Sequence, residues 1–214
     1  MQRAVGDLTG NGSGKGAQTS RGMIRQELIL KVAATLFSER GYDSVSINDI
    51  GFAAGVTGPA IYRYFPSKEA LLVSIYEHLY RRWSDGLAAV LADNGTAHET
   101  VERLIDNQIS LAVEEAEKIR IVTAEDRHLP PDRAASFAAE NRRFLRICTD
   151  LVRQVRPDLS RDELDATVHA LFAMINSISL KSDAQAVSPR VRQHLRDMAL
   201  GLVFSEDLAD PSLT

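Results

Sequence analysis

Beyond Arg21, apolar residues recur at spacings of three and four, the period of a helix rather than a strand. Ile24, Leu28, Val32, Leu36 and Phe37 form the first stripe, which Gly41 ends as a C-terminal cap. Ser46, with Asp49 three residues on, caps a short second helix that Gly55 breaks. Thr57 caps a third helix running to Tyr64, and Pro66 stops it. Ser67 then opens a long fourth helix from Lys68 to Ala92. After the Asn94-Gly95 turn, Thr96 caps a helix carrying Val101, Leu104, Ile105, Ile109 and Val113. Helical stretches follow over 119–125 and 131–156, with Pro130-Pro131 between them. Ser160 and Glu163 make a capping box for 161–180, and Ser188-Pro189 starts a last helix through Phe204.

The expected fold is therefore all-α, with about nine helices and no internal repeat. Residues 1–20, rich in Gly, Ser, Thr and Asn, have no apolar period and are expected to be a disordered tail. Residues 21–66 read as a compact helical unit, 67–205 as a larger helical domain and 206–214 as a C-terminal tail.

Composition narrows the class. The chain has 214 residues, 44% of them hydrophobic, enough to bury a substantial core. It has no run of about 18 apolar residues, so no transmembrane helix is expected. No secretory leader is visible, and the single cysteine, Cys148, forms no internal disulfide. A cytoplasmic location is expected. Residues 1–80 carry eight Lys/Arg against seven Asp/Glu, a balance of +1, and the remainder seventeen against twenty-two, a balance of −5. Chemistry is not encoded in any recognisable way. There is no Gly-rich phosphate loop, nucleophile elbow or Cys/His set with metal spacing, and the five histidines are scattered. No catalytic residue, metal or cofactor is expected.

Residues 46–65, SINDIGFAAGVTGPAIYRYF, supply what a helix-turn-helix needs. Ile50 and Val56 pack inward, Gly51 and Ala54 allow close crossing, Gly55 suits the turn and Thr57 caps the reading helix. The longer stretch GYDSVSINDIGFAAGVTGPAIYRYFPSKEALL, within a match over roughly 24–76, resembles the signature of the tetracycline-repressor (TetR) family. Gly51 stands where that family usually has Ala, which loosens the second helix slightly, and Phe52 where a polar residue is more frequent.

The resemblance implies a ligand-responsive transcriptional regulator, most often a repressor, binding a palindromic DNA operator as a homodimer and released by a small hydrophobic effector. Carried over by position, it implies DNA contacts from Ser46, Asn48, Thr57, Gly58, Pro59, Ala60, Tyr62, Arg63, Tyr64 and Lys68. Ser46 and Lys68 fall on phosphates, and Pro59 and Ala60 can make only apolar base contacts.

The resemblance also implies an effector cavity and a dimer interface beyond residue 80. Residues 164–180 are apolar nearly all round, which asks for cover on two sides. Leu171, Ile175, Leu195, Met198 and Leu202 are the expected interface residues. Expected effector contacts are Trp83, Arg120, Phe137, Phe144, His169, Met174 and Ile178, with Ile147 a further candidate for the wall and Arg143 a further polar candidate. Each of these also fits plain core, and His169 fits a hydrogen-bonded core histidine. Two other readings remain: a DNA-binding protein without an effector, and a binding scaffold that has lost its operator. An internal cavity would separate the first reading from the second, and the intact reading helix argues against the third.

Overall fold

Caps decide where most of the helices begin. In the computed structural model of the chain, residues 13–181 and 186–205 are described, the first nine of them as helical backbone only. Nine α-helices occur among them: α1 Ser13–Arg40, α2 Ile47–Ala53, α3 Gly58–Ile61, α4 Lys68–Ala92, α5 Ala97–Glu114, α6 Ala116–Ala124, α7 Pro131–Val155, α8 Arg161–Asn176 and α9 Pro189–Phe204. Short 3-10 turns follow α6 (Asp126–His128) and α8 (Ser177–Leu180). Ser46, Thr96 and Ser160 each close a complete capping box, with Asp49, Glu99 and Glu163. Ser67 and Ser188 cap α4 and α9 with their hydroxyls. Gly41 and Gly55 carry the positive φ, 78° and 65°, that ends one helix and turns the chain between α2 and α3.

Three expectations about elements need correcting. α1 starts at Ser13, inside the stretch expected to be disordered; residues 1–12 and 206–214 lie outside the described residues. Once its packed turns are set, a helix extends cheaply, one bond gained per residue fixed. The buried stripe of α1 is Ile29, Ala33, Ala34, Leu36 and Phe37, whereas Ile24 and Leu28 are exposed. They precede the first buried position, so α1 runs past the unit it packs on. The third helix is a single turn, and Thr57 holds the cap position without a side-chain cap bond.

Two cores form. One gathers Phe37, Ile50, Ile61, Phe65, Leu71, Leu72, Ile75 and Tyr76 of α1–α4. It also takes Ile121 of α6, Leu129 and Phe137. The second fills the space between the far half of α4, α5, α7, α8 and α9. Around these, α1 meets α6 through polar groups. The Thr35 hydroxyl donates to Glu117 at 3.1 Å, Arg120 Nε donates to Ser38 Oγ at 2.6 Å, and the Tyr42 N–H donates to Glu125 at 3.2 Å.

Candidate nucleic-acid interface and effector groove

The α2–α3 pair is built for close approach. Gly51 is buried, and a Cβ there would stand 3.0 Å from Gly58 N and Val56 O. The Gly found where the family favours Ala thus sits where the two segments nearly touch backbone to backbone. Gly58 is buried in turn, with the Asn48 amide lying across it; a Cβ on Gly58 would meet Asn48 Oδ1 at 2.1 Å. Gly58 therefore offers a partner no side chain and little surface, which corrects its place among the expected DNA contacts. Its part is to let Asn48 lie over the start of α3.

Around this crossing, Ser46, Asn48, Thr57, Pro59, Tyr62 and Arg63 are exposed. Ala60 and Tyr64 are half-buried. Tyr62, at 55% exposure, is not a packing residue. Phe52 is 91% exposed, so the chain departs from the usual polar residue there without burying the ring. Lys68 opens α4 with its ammonium 4.1 Å from the Tyr42 ring centroid.

The effector side differs more from expectation. A groove of about 390 Å³ runs between α4 and α7. α4 lines it with Tyr80, Trp83, Ser84, Leu87, Ala88 and Leu91, and α7 with Glu140, Arg143, Phe144 and Ile147. These sets follow i, i+3, i+4, i+7, the spacing of one helical face. Trp83 and Phe144 stack at 6.1 Å and 27°, and Tyr80 meets Trp83 edge-on at 5.1 Å. Burial, with the Glu140 charge adding to it, pushes the Tyr80 phenol up to about 12, so it stays a neutral hydroxyl. The indole Nε1 of Trp83 is buried without a partner.

Of the seven expected effector contacts, the groove brings together Trp83 and Phe144. The other five lie elsewhere for identifiable reasons. Phe137 stacks on Tyr80 at 5.1 Å and belongs to the core shared with α1–α4. Arg120 spends its guanidinium on Ser38 Oγ and on the carbonyls of Ser179 and Lys181, tying α1 to the turn after α8. His169 is exposed, with Nδ1 2.7 Å from the Asp165 carbonyl of its own helix, so it is neither core nor groove. Met174 and Ile178 pack against the second core. Sequence reasoning misses Tyr80, Ser84, Leu87, Ala88, Leu91 and Glu140. Their only sequence signal is shared register on two facing helices, and the facing is a tertiary fact.

The expected interface divides the same way. Leu171 and Ile175 are 1% and 0% exposed and fill their own subunit's core, a correction to their place at a dimer interface. The bulky residues of α8 recur on one side, while Ala166, His169, Ala170, Ala173 and Ser177 are exposed on the other. On α9, Met198 is 46% and Val191 41% exposed, and Leu195 and Leu202 are half-buried.

Comparison with known proteins agrees with this anatomy. The profile described as bacterial regulatory proteins, tetR family, matches residues 29–75. The one described as tetracyclin repressor-like, C-terminal domain, matches residues 94–180. The chain belongs to the TetR family of transcriptional regulators. The HTH-type transcriptional regulator CymR of Pseudomonas putida is 25% identical over 167 residues, which cover 77% of this chain and 82% of CymR. Among solved structures, a TetR-family regulator from Bordetella parapertussis superposes with a TM-score of 0.76 at 22% identity, covering 86% of this chain and 95% of its own. AibR, solved in complex with isovaleryl coenzyme A and operator DNA, superposes with a TM-score of 0.71 at 18% identity, over 84% of this chain and 98% of AibR. At these identities the two structures share the fold. TetR-family regulators bind DNA and often respond to ligands. No helix among the described residues is long and apolar enough to cross a membrane.

Proposed function

We propose that this TetR-family protein is a cytoplasmic repressor that binds a palindromic operator as a homodimer and releases it when a small hydrophobic molecule fills the α4–α7 groove. The observation that carries this reading is the groove itself. Its volume of about 390 Å³ lies within the ordinary range for ligand sites. One wall is α4, whose first residue, Lys68, stands beside the DNA-binding segment. A ligand that spreads α4 from α7 favours one orientation of the reading heads over another, and only that difference in affinity can release DNA.

In this reading residues 21–66 are the DNA-binding unit and 67–205 the effector-binding and dimerisation unit. Ser46 and Lys68 hold phosphates. Pro59, Ala60 and Tyr62 meet base edges and methyl groups, with Asn48, Thr57, Arg63 and Tyr64 beside them. The two copies of α3 sit one turn of duplex apart, about 34–36 Å. The dimer joins through the exposed small residues of α8 and the Val191, Leu195, Met198 and Leu202 side of α9. AibR, whose solved complex holds both an acyl thioester and operator DNA, lends the ligand half of the reading support by fold alone.

The test is selection of duplexes from a randomised library, followed by titration of the selected site with apolar compounds. An inverted repeat bound by a dimer, and lost on addition of one compound, is the expected result. Enrichment of a single half-site, or binding that no apolar compound weakens, overturns it.

A further inference from the structure

With the homodimer and palindromic operator of the proposed function taken as given, the two reading heads must stand at a fixed separation. Each head therefore has to be fixed against the dimer face. α4 runs from the DNA-binding segment into the second core, but a single strut leaves a head free to turn about it. The packing of Ile121, Leu129 and Phe137 beneath the head resists separation, yet apolar burial is non-directional and does not fix register. Hydrogen bonds do, because they weaken steeply as they leave the line of donor and acceptor.

The directional contacts run along α6. Thr35, Ser38 and Tyr42, spaced three and four apart from α1 into the turn after it, meet Glu117, Arg120 and Glu125. Arg120, in the middle of this row, also reaches the other way. Its Nε–H donates to Ser38 Oγ at 2.6 Å, while its Nη1 donates to the Ser179 carbonyl and, at 3.1 Å, to the Lys181 carbonyl. Those carbonyls belong to the 3-10 turn after α8 and its cap, where backbone oxygens have run out of helical partners. The turn is itself held in place. Ser179 is fully buried, its hydroxyl donates to the Asn176 carbonyl at 2.6 Å, and Gln108 Nε2 donates to Asn176 Oδ1 at 2.7 Å. A guanidinium presents its donors in a rigid plane, so one group can hold two segments in a set relation; an ammonium, a point charge on a flexible stem, cannot. The exposed Ala170, Ala173 and Ser177 lie along and just past the helix whose end it grips.

We infer that Arg120 is a positioning residue for operator binding: by bonding Ser38 of α1 and the carbonyls that end α8 at once, it sets the angle of the reading head against the dimer face and so fixes the half-site spacing that the dimer accepts.

The full-length protein is titrated by fluorescence anisotropy with three kinds of duplex: the selected inverted repeat, the same half-sites moved one or two base pairs apart, and a single half-site. The parent should prefer the selected spacing. Ser38→Ala puts a good helix former at a half-buried position. It leaves the turn after α8 bonded and removes only the α1 end of the bridge. It should cut the preference for the selected spacing about tenfold, with half-site affinity, dimerisation in sedimentation and melting temperature little changed. Arg120→Lys keeps the charge and a donor for the carbonyls but loses the fork, and should do the same. The double variant should be no worse than either single one, because the two residues act through one contact. Parental spacing preference in Ser38→Ala overturns the inference. So does a loss shared equally by the single half-site and every spacing, or effects that add in the double variant. A parent that binds only as a monomer overturns the dimeric reading and the bridge with it. A dimeric parent whose spacing preference survives both single variants overturns the bridge alone.

Discussion

The ammonium of Lys68 rests 4.1 Å from the centre of the Tyr42 ring. That ring is not free to wander. It lies against the His128 ring, tilted 32° at 4.7 Å between centroids, and its own backbone N–H donates to the buried Glu125. The first residue of α4 is thus held by a turn that is itself pinned to the segment after α6. A candidate phosphate contact is placed by the larger unit of the chain rather than by the DNA-binding unit alone.

For that reason Lys68→Ala should weaken binding to every duplex sequence about equally. It should also reduce the slope of log K against log salt by about one per subunit. Tyr42→Leu keeps the charge but loses the cation–π contact, worth about 0.5–1 kcal/mol at a site like this. It should cost less affinity and leave the salt slope alone. Fluorescence anisotropy with a fixed duplex at several salt concentrations distinguishes the two. An unchanged slope for Lys68→Ala would remove this residue from the DNA contacts.

A dimer through the small face of α8 makes a contrast between adjacent positions. Ala170→Glu sets a charge on the exposed side and should give a monomer in sedimentation with an unchanged helical spectrum. Leu171→Glu sets one in the subunit's own core. It should unfold the chain, since an unpaired buried charge costs several kcal/mol. If Ala170→Glu remains dimeric at micromolar concentration, the face is wrong.

Acid should loosen the hold of α4 on the α5–α6 corner. Burial works against ionisation of Glu115, but bonds from His78 and Lys118 outweigh it and hold the carboxyl down to about 2. The lowered value means that Glu115 contributes stability fully above its unfolded range near 4.5, and that the contribution drains away as pH falls toward 2. The whole effect is about 3 kcal/mol. Glu115→Gln should lower the melting temperature at pH 7 and flatten its decline between those two values. A variant that melts with the same acid slope as the parent contradicts the assignment.

Cys148 is 0% exposed, and burial pushes its thiol up to about 12. As the thiolate is the reactive form, a disulfide reagent at pH 8 should modify the folded protein only at the rate of its opening. The same reagent should react at once in denaturant. Fast stoichiometric labelling of the native protein would mean that α7 opens far more readily than its packing suggests.

The helices are legible in the sequence because caps act locally. Ser46, Ser67, Thr96, Ser160 and Ser188 each announce a start that needs no tertiary partner. The apolar period of α8 is legible too, but not its sides. Leu171 and Ile175 follow the same spacing whether they face a neighbour or their own core. Burial on one side and small residues on the other settle it. The groove is least legible. A Trp or Phe at helical spacing looks the same in a core as in a cavity wall, and Arg120 reads as a ligand contact until Ser38 and the end of α8 are seen to occupy it. Gly51 reads as a weakened helix and is a close crossing.

The core beneath the DNA-binding segment borrows Ile121, Leu129 and Phe137 from beyond residue 116, and its own helices reach Tyr76. Cutting the chain at 66 would strip that core of Leu71, Leu72, Ile75 and Tyr76 as well. The excised piece would be too small and too apolar to stand alone. Recombination between relatives therefore has no clean seam here. A chimera that grafts this reading head onto another sensor must carry a matching α6–α7 floor with it, or its specificity will be transplanted into a head that does not hold its shape.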